Sequence, residues 1–285
     1  MRTIAALLLT AAVLAGCSEP REMDSLAESP ETVGSASDPR VDAPPEDAFA
    51  AAFAGPIEES HGAEAWRRQE AVAADVVLEF GGDRVFEGRL LFPPDMSASR
   101  LELAGGTVAV WDGEAAWVSP ASAELPRARF HLLTWPYFLA LPFKLRDPGT
   151  RLEDLGERPL SGTAYQAARL TFEPGTGDTP DDWYVLYRDP ASERLIAAAY
   201  IVTYGTPAEQ AEAEPHAITY EDFQEVEGVQ VPTTWRFWSW NEEEGVDGEP
   251  IGRVALENVR FGPAPAGAFE RPEDAREDAL PAARP

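Results

Sequence analysis

Three stretches of this chain are apolar on both sides when read with the two-residue period of a strand, and that leaves few ways to fold. In Asp182 to Tyr187, Trp183, Val185 and Tyr187 point one way while Tyr184 and Leu186 point the other. Leu195 to Tyr204 sets Leu195, Ala197, Ala199 and Ile201 against Ile196, Ala198, Tyr200, Val202 and Tyr204. In a third stretch Trp235 and Phe237 share one side, and Trp238 and Trp240 the reverse. A sheet with one wet face alternates apolar with polar residues. These stretches do not, so a second layer must cover each of them.

The same period marks further candidate strands at Ala74–Phe80, Arg84–Phe92, Arg100–Leu103, Thr107–Asp112, Ala115–Ser119, Ala164–Phe172, Ala217–Val226, Pro232–Trp240 and Gly252–Phe261. Turn signals such as Gly81-Gly82-Asp83, Pro93-Pro94-Asp95, Asp112-Gly113 and Asp189-Pro190 keep the connections short, which predicts antiparallel meander pairing. Helical spacing appears at Asp47–Ala54, interrupted at Gly55-Pro56 and resumed over Ile57–Gln69. A strongly apolar segment, Arg127 to Leu145, reads as a short helix ended by proline. The covers for the doubly apolar strands are then the N-terminal helix (Phe49, Phe53, Ile57, Trp66) and the segment from Phe130 to Leu139. The expected fold is mainly β (α+β), a curved sheet clasping helices. Pattern alone favours a filled core over an open cavity. Where space remains, Trp66, Trp135, Tyr137, Phe138, Trp183, Trp235 and Phe237 are the candidate lining for an apolar ligand.

The first residues set the expected location. After Met1-Arg2-Thr3, an apolar run from Ile4 to Leu14 leads to Ala15-Gly16-Cys17. The run is too short to cross a bilayer, which takes ~20 residues, and has the build of a secretory signal. Leu14-Ala15-Gly16-Cys17 resembles the bacterial lipobox. That resemblance implies cleavage after Gly16, a diacylated Cys17 and a new amine open to further acylation, such as palmitate. Cys17 is the only cysteine, so no internal disulfide is expected despite an oxidising destination. Ser18, where an aspartate would resemble the inner-membrane retention signal, implies the periplasmic face of the outer membrane. The chain divides into a signal peptide (1–16), a lipidated cysteine with a flexible tether (17–45), one domain (46–269) and a disordered polar tail (270–285). Net charge is −27. So acidic a surface repels phosphates, which argues against nucleic acid as a partner.

Three further segments carry a resemblance to a family. His61-Gly62-Ala63-Glu64-Ala65-Trp66 before the first strand looks like the opening of the LolA/LolB-like superfamily of periplasmic lipid- and lipoprotein-binding proteins. Tyr137-Phe138-Leu139-Ala140-Leu141-Pro142-Phe143-Lys144-Leu145 is similar to the mid-chain helix of a lipoprotein branch of it. Glu221 to Pro232, with its Val226-Glu227-Gly228 turn, resembles a late hairpin common there. The resemblance implies an incomplete antiparallel β-barrel wrapped over a few helices, whose apolar concavity binds lipid or the acyl groups of lipoproteins. Cys17 makes the chain similar to the anchored receptor of that superfamily rather than to its soluble carrier, and no arginine aligns with the one that latches the carrier's lid.

Little in the sequence points to chemistry. His61, His131 and His216 are isolated, none with a second ligand at zinc spacing. His61-Gly62 reads as a helix C-terminus with the imidazole near the negative dipole end, His131 as a satisfied core histidine, and His216 as solvent-facing. There is no Gly-x-Ser-x-Gly elbow, phosphate loop or dinucleotide fingerprint. Asp178, Asp181 and Asp182 gather on one loop, where a paired-carboxylate hydrolase or a calcium site is the sharp reading and a solvated turn the plain one. No cofactor and no metal are expected. The readings stand in order: a non-catalytic lipid-binding protein, an envelope interaction module with a filled core, and a hydrolase on the acidic loop.

Overall fold

A computed structural model describes residues 46–281; the signal segment, Cys17, the tether and the last four residues lie outside them. Two helices come first, α1 (Glu46–Ser60) and α2 (Ala63–Arg67). A meander follows: β1 (Ala71–Phe80), β2 (Asp83–Phe92), β3 (Ser99–Leu103), β4 (Val108–Trp111) and β5 (Ala116–Ser119). Next come α3 (Ala128–Ala140) and a 3-10 turn (Leu141–Phe143). A second meander has β6 (Thr150–Leu160), β7 (Thr163–Phe172), β8 (Tyr184–Arg188) and β9 (Leu195–Tyr200). The short α4 (Ala208–Glu212) leads to β10 (His216–Val226), β11 (Val229–Asn241), β12 (Gly245–Gly262) and β13 (Arg276–Glu277).

The strands form one sheet in the order β13-β5-β4-β3-β2-β1-β12-β11-β10-β9-β8-β7-β6, antiparallel at each pairing. Pairing of β1 with β12 joins the two meanders. The chain leaves the first meander at β5 and starts the second at β6, the far edge, so α3 must traverse the sheet between them. That explains why Arg127–Leu145 is apolar nearly all round: Leu132, Trp135, Phe138 and Leu139 are all buried in the main core.

Pro56 does not interrupt the first helix, contrary to the sequence expectation, and Pro136 lies within α3, which ends at Ala140 just before Pro142. Proline removes one i→i−4 hydrogen bond and frees the carbonyl four residues back. Pro56 leaves α1 continuous, and the freed Ala52 carbonyl accepts a bond from Arg188 Nη1 at 3.2 Å. Pro136 frees the Leu132 carbonyl, which accepts from Ser99 Oγ at 2.6 Å. The next free carbonyl, Phe138, would have turned to Pro142 and instead accepts from Tyr220 Oη at 2.9 Å. In each case a side chain from the sheet supplies the missing donor. The break between α1 and α2 falls at His61-Gly62 instead. Gly62 has φ +83°, and a Cβ there would lie 2.0 Å from the Gly228 carbonyl oxygen. The helix corner therefore presses on the β10–β11 turn, where Gln230 N–H donates to the His61 carbonyl at 3.0 Å.

Both sides of the central strands are covered, by different means. Tyr184, Leu186, Ala198, Tyr200, Trp235 and Phe237 face the helices and join the main core. Trp183, Val185, Tyr187, Ala197, Ala199, Ile201 and Ala217 form a second core on the reverse side. Helices α1 and α3 do not cover that side. Leu160 of β6, Ala211 of α4 and Trp240 at the end of β11 do, with Trp240 Nε1 donating to Tyr187 Oη at 2.9 Å. Gly245 lets this hairpin end fold onto β6, since a Cβ there would lie 2.5 Å from the Pro159 carbonyl oxygen.

Two segments depart from the sequence reading. β6 was not anticipated, because its residues, Thr150 to Leu160, are mostly polar and include Gly156 at a register shift. Such marks belong to a protected edge strand. The polar tail is not disordered as far as Pro281, so the domain runs past residue 269. Arg276 and Glu277 pair with Val118 and Trp117, Asp278 Oδ2 accepts the Arg129 N–H at the start of α3 at 2.9 Å, and Arg271 stacks over Trp117. Composition reports burial, whereas this segment is held by backbone pairing and polar bonds.

Tyr220→Phe and Ser99→Ala should each strand a buried carbonyl and lower unfolding free energy by about 1–3 kcal/mol, read by urea titration. In a Pro136→Ala background, which restores the helical N–H, Ser99→Ala should cost markedly less; equal costs in both backgrounds would refute the pairing.

Candidate functional site

α3 places Phe130, Leu133, Thr134, Tyr137 and Phe138 on one stripe, the spacing of a single helix face. Opposite them stand Phe172 at the end of β7, Tyr184 of β8 and Tyr200 of β9, with Val202 and Tyr204 beyond. The residues Thr176 to Asp182 close one side, and together these groups line a pocket of about 240 Å³. Its walls are aromatic: Tyr137 to Tyr184 is 5.7 Å between ring centroids, Phe138 to Tyr200 5.0 Å, and Phe172 to Tyr184 6.0 Å. Two larger clefts, about 510 and 340 Å³, are bordered by Glu58, Arg67, Lys144, Arg146 and Asp147 and by Arg89, Arg100, Glu102 and Arg260. Each has more charged side chains on its walls than the two aspartates of the aromatic pocket, which suits an apolar ligand less.

The seven residues anticipated as lining separate into four places. Tyr137 and Phe138 line the pocket. Trp135, Trp235 and Phe237 are buried beside it and fill the concavity, with Trp135 6.1 Å and Phe138 6.0 Å from Phe237. Trp66 stacks on Phe143 at 4.4 Å and borders the larger charged cleft. Trp183 is on the wrong side of the sheet, in the second core. Its neighbours Tyr184 and Tyr200, and Phe130 and Phe172, line the pocket without having been anticipated. The helical spacing of Phe130, Thr134, Tyr137 and Phe138 was a usable signal; the sheet side needed the register.

The acidic loop has structural work. Asp178 takes two bonds from Arg129, Nε at 2.5 Å and Nη2 at 2.8 Å. Asp182 accepts from Thr179 Oγ1, Thr203 N and Thr203 Oγ1, each at 2.7 Å. Burial raises the Asp182 carboxyl above the ordinary carboxylate range, with the Thr179 and Thr203 bonds pulling it back. Asp181 is exposed. The loop is therefore tied to α3 by one aspartate and to the segment after β9 by another. Among the described residues, no group of three acidic, histidine or cysteine side chains is placed to hold a metal ion.

The histidines are likewise occupied by packing. His61 is fully buried, its Nε2 accepting the Leu195 N–H at 3.1 Å, so it does not sit at the helix end as a cation. Desolvation lowers its pKa from 6.5 to about 4. His131 Nδ1 accepts from Trp135 Nε1 at 3.1 Å, and desolvation lowers it to about 4 as well. His216 is half-buried against Tyr200 rather than solvent-facing, and burial lowers it too. Tyr137 differs. Its hydroxyl is buried and has no hydrogen-bond partner among the described residues. Burial pushes its phenol well above the usual tyrosine range.

The fold matches that of solved structures. A LolA superfamily protein from Nitrosomonas europaea is similar at a TM-score of 0.52 and 13% identity, over 77% of this chain and 98% of that one. A DUF1329 family protein from Desulfovibrio piger is similar at 0.49 and 12% identity, over 79% and 97%. No family model matches the sequence, and no curated protein matches it. The chain thus has the LolA-like fold, an incomplete antiparallel barrel wrapped over helices.

His61 carries a pH prediction. The native state holds it neutral with a pKa near 4, whereas the unfolded chain protonates near 6.5. Stability is therefore full above 6.5 and falls as pH drops toward 4, by about 3 kcal/mol from this residue. His61→Gln should flatten that part of the unfolding free energy between pH 7 and 4, leaving the slope due to His131.

Proposed function

We propose that this chain is an exported lipoprotein, anchored through acylated Cys17 at the periplasmic face of the outer membrane. It holds a lipid or the acyl group of a lipidated peptide in the pocket between α3 and β7–β9. No catalysis is part of this reading. The observation that carries it is the pocket wall: a helix face apolar but for Thr134 set against aromatic strand residues, with space left between them. An apolar surface of that kind gains about 0.8 kcal/mol for each ligand methylene it takes from water. The resemblance of the His61 to Trp66, Tyr137 to Leu145 and Glu221 to Pro232 segments to the LolA/LolB-like superfamily supports the same ligand class. At about 240 Å³ the pocket falls below the ~300 Å³ at which small-molecule sites begin, so it takes part of a chain and leaves the rest outside.

The filled concavity favours a second reading. Trp135, Trp235 and Phe237 occupy the space that an open carrier would leave empty, as an envelope interaction module with no ligand would require. One experiment separates the two. Cells are fed an alkynyl palmitate, and the protein is purified from the envelope. Wild type should carry the label and Cys17→Ala should not. Native mass spectrometry should show bound lipid, and Thr134→Trp, which fills the pocket, should reduce it at least about fivefold at an unchanged melting temperature. Lipid absent from wild type, together with a defined partner recovered by crosslinking, would replace this reading with the second.

A further inference from the structure

The charge at the pocket mouth restricts which acyl ligand it takes; this step rests on the acyl-binding reading above. Arg127 precedes the first turn of α3 and is exposed, its guanidinium carbon 4.3 Å from the Phe130 centroid and 5.3 Å from that of Tyr204. Both rings line the pocket, so the cation sits at its rim. Its backbone is left-handed at φ 58°, a conformation that glycine or asparagine takes at less cost, and its side chain does not cap the helix. Neither the backbone nor the helix calls for an arginine here.

Arginine stacks through its flat face and donates through its edge. Contact with the two rings therefore orders the guanidinium while leaving its N–H groups for a ligand. The neighbouring charges are already taken. Burial raises the Tyr204 phenol, and the charges that also act on it are those of Asp278, Arg129, Asp178 and Arg127. Asp178 holds Arg129 through two bonds, and Asp278 accepts the Arg129 N–H at 2.9 Å and lies 3.6 Å from Arg276. Arg127 alone of the four has no partner of opposite charge among the described residues. Asp182, the pocket's other aspartate, accepts three bonds from Thr179 and Thr203. One uncommitted cation balances one negative charge. At about 240 Å³ the pocket takes the far end of a chain, which leaves the head outside, at the rim beside that cation.

We propose that Arg127 receives the carboxylate of a fatty-acid anion whose chain lies in the pocket, its N–H groups donating to the carboxylate oxygens. The test is a titration of the full chain at pH 8 and low ionic strength, followed by tryptophan fluorescence, with decanoate, decanol and decyltrimethylammonium, three heads on one chain length. The net charge of −27 attracts the cationic ligand to the whole surface, so a preference for decanoate has to come from the site. Decanoate should bind at least about fivefold more tightly than decyltrimethylammonium. Arg127→Gln should weaken decanoate about three- to tenfold and leave decanol unchanged, and raised salt should shrink that loss. The substituted side chain is exposed, so the fold is kept, as a melting curve verifies. Arg127→Gln binding decanoate as tightly as wild type, or wild type binding decyltrimethylammonium as tightly as decanoate, would overturn the carboxylate assignment, while bound decanol would leave an acyl site in place. Failure of all three ligands to bind would overturn both.

Discussion

The docking of α3 on the sheet rests on hydrogen bonds that its own prolines make necessary. A helix that crosses the interior must leave no carbonyl unpaired, because each one costs about 1–3 kcal/mol when buried. Pro136 and Pro142 release the carbonyls of Leu132 and Phe138, and the donors come from Ser99 in β3 and Tyr220 in β10. Those strands lie on opposite sides of the β1–β12 junction. The helix is therefore pinned to each meander by one polar bond, and its register against the sheet is set at two points rather than by apolar contact alone. Apolar packing tolerates sliding; two directional bonds do not.

The same logic explains which parts of the fold were legible beforehand. The two-residue period gave most strands and the antiparallel pairing, because alternation and short turns are local. Doubly apolar strands announced a second layer, yet its identity depended on Gly245 and the long β11–β12 hairpin folding over Leu160, a contact between distant residues. Pro56 reads as a helix breaker because the compensating donor, Arg188, is far away in sequence, as Ser99 is for Pro136. β6 and the 270–281 segment were misread for a common reason: both are edges, where backbone bonding rather than side-chain burial fixes the strand, and composition is silent about backbone bonds.

For the site, the helix half was readable and the sheet half was not. Phe130, Thr134, Tyr137 and Phe138 share a face by spacing alone. Trp183 and Tyr184 are adjacent, so choosing the wrong one for the lining is a one-residue error of register, which inverts every side chain of a strand. The large tryptophans drew attention as lining, but large flat side chains fill cores as readily as they edge cavities. Trp135 and Trp235 do the former.

The position of the pocket follows from the chain's path. Between Phe172 and Tyr184 the second meander departs from the strand geometry, and the intervening residues form a loop beside α3 rather than a layer beneath it. A loop cannot fill the space that a strand pair would. It must also be kept from collapsing inward, and its aspartates do this: Asp178 holds it to Arg129 on α3, and Asp182 holds it to Thr203 after β9. Partly buried charge pairs and a carboxylate with three donors are costly to break, since each leaves an unpaired charge. The carboxylates that suggested a hydrolase thus hold the lip open.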